Sequence, residues 1–137
     1  MITGVLKLVN EDTRRTINEF NSTEGDFSVQ QLDIKVSELP LGRHAHALKT
    51  ETWVIEKGEG SALVAKVDKN GKLVEKPRKI DLLDGSILHL SQFEGHTLYF
   101  IPGSQAIHFS SKPFDYKKPD FVPCPELVKE NFPELFE

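Results

Sequence analysis

The sequence predicts an all-β domain, an antiparallel sandwich or barrel. Three observations carry this. Short runs rich in β-branched and aromatic residues recur at regular spacing. Glycine-containing turns such as Asn70-Gly71, Asp84-Gly85 and Pro102-Gly103 separate them. No long stretch carries a helical apolar period.

In order, residues 5–9 read as a first short strand, and the polar stretch 10–21 has no clear assignment. Asn21 to Asp26 is a loop by composition. Phe27 to Val36 carries apolar positions two apart with a phase shift near Gln31, which predicts two short strands or a bulge. Pro40 and Gly42 break the chain before His44. Glu51 to Lys57 reads as a strand with Glu51, Trp53 and Ile55 on one face. Gly58-Glu59-Gly60 turns the chain into a strand over 61–67, and Asn70-Gly71 predicts a tight hairpin with two positive-φ residues. Further strands are expected at 79–83, 86–90, 96–101 and 106–110. Five prolines after Lys112 forbid a long regular element in the tail. Residues 126–131 are expected to form one short helix, with Phe132, Leu135 and Phe136 docking it and Tyr116 anchoring the tail. Lys117, Lys118 and Asp120 read as solvated surface.

The 137 residues are most simply one domain, 1–137, with a barrel core over about 27–111 and a proline-rich tail over 112–137. A hydrophobic fraction of 38% and a charged fraction of 28% suit a globular chain. A net charge of −4 and scattered lysines and arginines argue against nucleic acid as a partner. The apolar run Val5 to Val9 is short and interrupted by Lys7, so no membrane partner is expected. The single Cys124 has no intrachain partner, and a cytoplasmic location is the expectation.

The chemistry gathers between Gly42 and Gly58. His44 and His46 share a face if their segment is extended. Two imidazoles with a nearby carboxylate, Glu51, can hold a first-row divalent ion. The spacing Gly42, His44, His46, four residues, Glu51, six residues, Gly58 resembles the first motif of the cupins. The resemblance implies a small antiparallel jelly-roll barrel with ligands pointing into its mouth. The second cupin motif is matched in part. Pro102-Gly103 is present, but the register places Ala106 where the family has its histidine, and His108 follows two residues later on the same side. The implied metal set is therefore His44, His46, Glu51 and His108, holding Fe, Mn, Ni, Co or Zn. His96 and Tyr99 are the candidate catalytic proton carriers, and His89 is read as an isolated strand residue. Trp53 and Phe100 are read as core aromatics.

Gly42-Arg43-His44-Ala45-His46 is also similar to a segment of cupin ketoisomerases acting on nucleotide-linked sugars, and Asp12-Thr13-Arg14-Arg15 loosely to their start. Leu41 stands where those enzymes have arginine, and Glu51 where they commonly have glutamine. The expected function is a metal-binding cupin enzyme acting on a small polar substrate, carbohydrate included, by isomerisation, epimerisation or dioxygenation. A metal-independent sugar-nucleotide isomerase using histidine as base is one alternative. A small-ligand-binding protein without catalysis is the other. Family habit implies a homodimer.

Overall fold

The computed structural model describes residues 1–22, 27–35, 40–113, 115 and 117–137. The expected loop over 23–26, the end of the strand reading at Val36 and the anchoring role of Tyr116 lie outside the described residues.

Eleven strands form two antiparallel sheets. They are β1 (Lys7–Glu11), β2 (Arg15–Asn21), β3 (Ser28–Ile34), β4 (Leu41–His46), β5 (Glu51–Lys57), β6 (Glu59–Lys66), β7 (Arg78–Leu83), β8 (Ile87–Leu90), β9 (Glu94–Phe100), β10 (Gln105–Ser110) and β11 (Phe121–Pro123). The six-stranded sheet runs β1-β2-β3-β10-β5-β8 and the five-stranded sheet β11-β4-β9-β6-β7. From β3 onward every connection except β6 to β7 crosses from one sheet to the other. That alternation wraps the chain into a jelly roll.

The sheets take in residues on both sides of the 27–111 stretch. The unassigned segment 10–21 contains β2, which pairs with β3 from Arg15↔Ile34 to Asn21↔Ser28. Its polar composition hid it, because only Ile17 and Glu19 of the strand are fully buried. The expected bulge in β3 is absent. Ser28, Gln30, Leu32 and Ile34 follow one unbroken register against both neighbours, and Val29 simply faces outward. At Asn70-Gly71 only Gly71 has positive φ. The amide of Gly71 donates to the Asp68 carbonyl, so the loop is a type I turn closed by a left-handed residue.

Between the sheets lies the main core, built on Leu32, Ile34, Trp53, Ile55, Leu82, Leu90, Leu98, Phe100 and Ala106. A second cluster covers the outer face of the five-stranded sheet. There Ala45, Leu63, Ala65 and Val67 meet Val122, Cys124 and Leu127 from the tail, with Phe132, Leu135 and Phe136 packed against them. Residues 62–65 are therefore buried on both sides. The tail contains no α-helix among the described residues. Two 3-10 turns, Lys129–Asn131 and Pro133–Leu135, stand where one helix was expected, since Pro133 interrupts any longer one. No helix among the described residues is long and apolar enough to cross a membrane.

Gly58 turns the chain from one sheet to the other at φ 115°. A Cβ there would lie 2.7 Å from the Cα of Ser104. Both the backbone conformation and the contact demand glycine. We expect Gly58→Ala to cost about 1–3 kcal/mol, read as a lower urea midpoint with an unchanged slope. An unchanged midpoint would show that the corner tolerates a side chain.

Candidate metal centre

Glu51 opens β5 and points into the space between the sheets, where its residue is only 4% exposed. Three imidazoles surround its carboxylate. His46 Nε2 lies 2.5 Å from Oε1, while His96 Nε2 and His108 Nε2 lie 3.3 and 3.2 Å from Oε2. His44 completes the group, its ring centroid 4.7 Å from that of His46 and 4.9 Å from that of His96. One donor atom from each of His44, His46, Glu51 and His96 lies within 4.8 Å of those of the other three.

Strand geometry explains the convergence. β4 leaves regular pairing at Gly42 and Arg43, both with positive φ (88° and 63°), and the ladder shifts register before His44. A Cβ on Gly42 would meet the His96 carbonyl oxygen at 2.7 Å. This bulge seats His44 directly opposite His96 on β9. The turn over 47–50 then carries the chain to the other sheet, so Glu51 reaches the same space as the histidines despite its odd offset from His46.

The ring nitrogens facing away from the cluster are tied down. His46 Nδ1 donates to Asp120 Oδ1 at 2.9 Å, and His96 Nδ1 to the Glu94 carbonyl at 3.1 Å. His108 Nδ1 donates to Gln30 Oε1 at 3.3 Å, and Gln30 itself donates to Glu19. Each such bond puts the proton on Nδ1 and leaves an Nε2 lone pair toward Glu51. His46 Nε2, Glu51 Oε2 and His108 Nε2 are buried, yet none has a hydrogen bond of acceptable geometry among the described residues. Protonated imidazoles would satisfy these atoms as donors, and a bound divalent cation would satisfy them as ligands. The donor set of imidazoles and a carboxylate suits a divalent transition metal.

Burial pushes the Glu51 carboxyl up, but His108, His46 and His96 outweigh it and hold the group far below the usual carboxylate range. Burial, reinforced by repulsion from His96 and His46, drives His44 down from 6.5 to about 3, so it stays neutral and able to ligate.

The sequence-derived assignments are sorted by this geometry. His44, His46 and Glu51 come together. His96, expected as a proton carrier, stands among the four grouped donors. His108, expected to complete the set, lies outside that tightest group, against Glu51 Oε2. Tyr99 is removed from the site. It alternates with Phe100 on β9, and its hydroxyl accepts the Lys129 amide at 2.9 Å on the tail side. His89 is also elsewhere, on the outer face beside Thr52. Asp120, expected as solvated surface, instead grips His46 and accepts the Leu48 amide at 3.2 Å. Phe121 beside it stacks on His44 at 4.6 Å. Neither was visible in the sequence, because the pairing of β11 with β4 joins residues more than 70 positions apart. Cys124 is buried, and burial raises its thiol to about 11, which leaves it unreactive.

No family model and no curated protein matches the chain. Solved structures do. CapF with the inhibitor 3-isopropenyl-tropolone superposes at TM-score 0.71 and 19% identity over 88% of this chain and 34% of that one. CapF from Staphylococcus aureus, described as a capsular polysaccharide assembling protein, gives 0.64 at 20% identity over 88% and 32%. The Lactobacillus farciminis oxalate decarboxylase formate complex gives 0.65 at 10%, over 85% of this chain and 34% of that one. Pac13, a nucleoside dehydratase, gives 0.61 at 6%, over 85% and 82%. The chain has the cupin fold. It spans about a third of the length of CapF, and at these identities the likeness is one of fold. Within this cupin barrel the His–Glu cluster lies on a cavity of about 530 Å³, also lined by Trp53, Gln30, Lys49 and Phe121.

Two outcomes follow. Asp120→Asn should weaken divalent-metal affinity by about 10–100-fold in a competition titration while leaving the fold intact. Unchanged affinity would mean that Asp120 serves only the turn. Metal-free protein should lose stability as pH falls from about 6.5 toward about 3. The unfolded chain takes up a proton at residue 44 in that window and the folded chain does not, and Glu51 contributes with the same sign below its ordinary range. His44→Gln should flatten the curve in urea titrations across that window.

Proposed function

We propose that this cupin is a metal-dependent enzyme acting on a small polar substrate of carbohydrate character, by isomerisation or epimerisation next to a carbonyl. The observation that carries the reading is the convergence of buried, donor-free acceptors around Glu51 at the wall of a ligand-sized cavity. His44, His46, Glu51 and His96 would hold the ion. When bound, the ion supplies electrophilic polarisation of a substrate oxygen.

The chain's own residues supply the rest. His108 stands beside the grouped donors with Nδ1 fixed by Gln30 and Nε2 3.2 Å from Glu51 Oε2, where the pair can pass a proton between them. The Trp53 ring, 4.6 Å from that of His108, gives the cavity an apolar wall that holds the imidazole's orientation and excludes water. The fold shared with CapF, a capsular polysaccharide assembling protein by description, supports the carbohydrate reading. The lone, buried Cys124 supports a reducing compartment.

A homodimer belongs to the same proposal. Edge strand β1 and the residues before it expose Val5 (72%), Leu8 (55%) and Val9 (48%), which a second copy would cover. A monomeric mass by light scattering at micromolar concentration would count against it.

Elemental analysis should find one divalent ion per chain, absent from the double variant H44A/H46A. Exhaustive chelation should abolish isomerase or epimerase activity, and the same turnover should persist without oxygen. Activity that survives chelation would leave histidine acting directly as base. A requirement for oxygen would establish dioxygenation instead, and tight ligand binding without turnover across a broad sugar panel would establish a binding protein.

A further inference from the structure

Three of the four site imidazoles have Nδ1 anchored: His46 by Asp120, His96 by the Glu94 carbonyl and His108 by Gln30. His44 is different. Among the described residues no hydrogen bond holds its ring. It is also half-buried, while the other three of the grouped donors are buried. Its neighbours are rings. Phe121 stacks on it, centroids 4.6 Å apart and planes at 24°, and His46 and His96 meet it at steep angles at 4.7 and 4.9 Å. Of these three, Phe121 alone lies outside the metal set. An unbonded imidazole on a strand must lose rotamer freedom to ligate, and a stacked ring removes part of that freedom beforehand.

Phe121 belongs to the tail, which follows the ligand strand residue by residue. β11 pairs Phe121, Val122 and Pro123 with His46, Ala45 and His44. Ahead of it the Asp120 carbonyl accepts the Ala47 amide at 3.3 Å, and the Asp120 carboxylate takes His46 Nδ1 and the Leu48 amide. Behind it the Cys124 amide donates to the Arg43 carbonyl at 2.8 Å. From Arg43 to Leu48, each residue of the His-x-His segment thus has a partner in Asp120 to Cys124. β9 borders β4 on the other side, so without β11 the ligand strand would be an edge carrying a bulge and a left-handed residue.

We propose that the tail strand β11 is a clamp on the metal centre, in which Phe121 is a positioning residue for His44 as Asp120 is for His46, so that ion binding and tail docking strengthen each other. The inference rests on reading His44 and His46 as metal ligands. Linkage makes the effect reciprocal: the factor by which the docked tail raises affinity for the ion is the factor by which the ion favours the docked tail. Aromatic stacking on its own supplies about two- to tenfold of that factor. A loosened tail releases the ion, and a bound ion locks the tail.

The test uses cobalt(II), whose visible absorption reports its ligand field, on the full chain. Phe121 is 43% exposed, so Phe121→Leu fills much of the same space without a ring face and leaves the core intact, while Phe121→Tyr keeps the face. Cobalt affinity should fall about two- to tenfold in F121L with a changed absorption spectrum, and F121Y should retain the wild-type behaviour in both. The Ala47 and Cys124 amides close the two ends of the clamp. Hydrogen exchange there, read by mass spectrometry, should be slower in cobalt-loaded than in metal-free wild-type chain, and the slowing should shrink in F121L. Wild-type affinity and spectrum in F121L would show that Phe121 only fills space, and an F121Y variant that behaves like F121L would show that the ring face is immaterial. Exchange at the two amides that ignores the metal would show that the tail is uncoupled. Each of these overturns the clamp and leaves the metal centre standing. A wild-type chain that takes up no cobalt overturns the metal reading itself, and the clamp with it.

Discussion

Glu51 is a carboxylate withdrawn from water between two sheets and faced by the Nε2 atoms of three imidazoles. Where those rings are neutral, their lone pairs face the carboxylate with no proton between them. A buried acceptor without a donor costs on the order of 1–3 kcal/mol, and more when it is charged. Here three such atoms crowd one space. A bound cation resolves the conflict at once, and the surrounding contacts are those that would hold ligands ready for it. Asp120, the Glu94 carbonyl and Gln30 each fix one ring from behind.

The scaffold can be understood as the means of reaching that geometry. β4 and β9 lie in one sheet, β5 and β10 in the other, and the cluster forms where their inward faces meet. Holding it requires a bulge at Gly42 and a left-handed Arg43, conformations that ordinary strand pairing disfavours. The tail stabilises this distorted strand. β11 pairs with it from His44 to His46, and the Cys124 amide donates to the Arg43 carbonyl at 2.8 Å. Val122, Cys124 and Leu127 then seal the outer face of the sheet. A proline-rich segment that looks like a loose end is a structural side of the His–Glu cluster.

Local patterns made much of the barrel legible. β5, β7, β8 and β10 were readable as short runs rich in aliphatic, β-branched or aromatic residues set off by turn signals. β2 was not, since a strand whose buried positions include a glutamate carries little apolar signal. In β3 the apparent phase shift came from counting Val29 as inward, when Ser28 and Gln30 are the residues facing the cavity. Polar residues inside a barrel mouth invert the usual code.

By itself the sequence determined the fold class and the nucleus of the site. His44, His46 and Glu51 sit within eight residues of one another, where strand period and one turn decide orientation. Only the tertiary structure decided the remaining donors and their supports. His96 joins the group because a bulge in β4 seats His44 opposite it, and His108 keeps to the side of Ala106 yet reaches Glu51. Tyr99 leaves the site because Phe100 takes the inward position beside it. Asp120 and Phe121 were unreadable for a common reason. Each gains its role from strands distant in sequence, and periodicity carries no information about which strands meet.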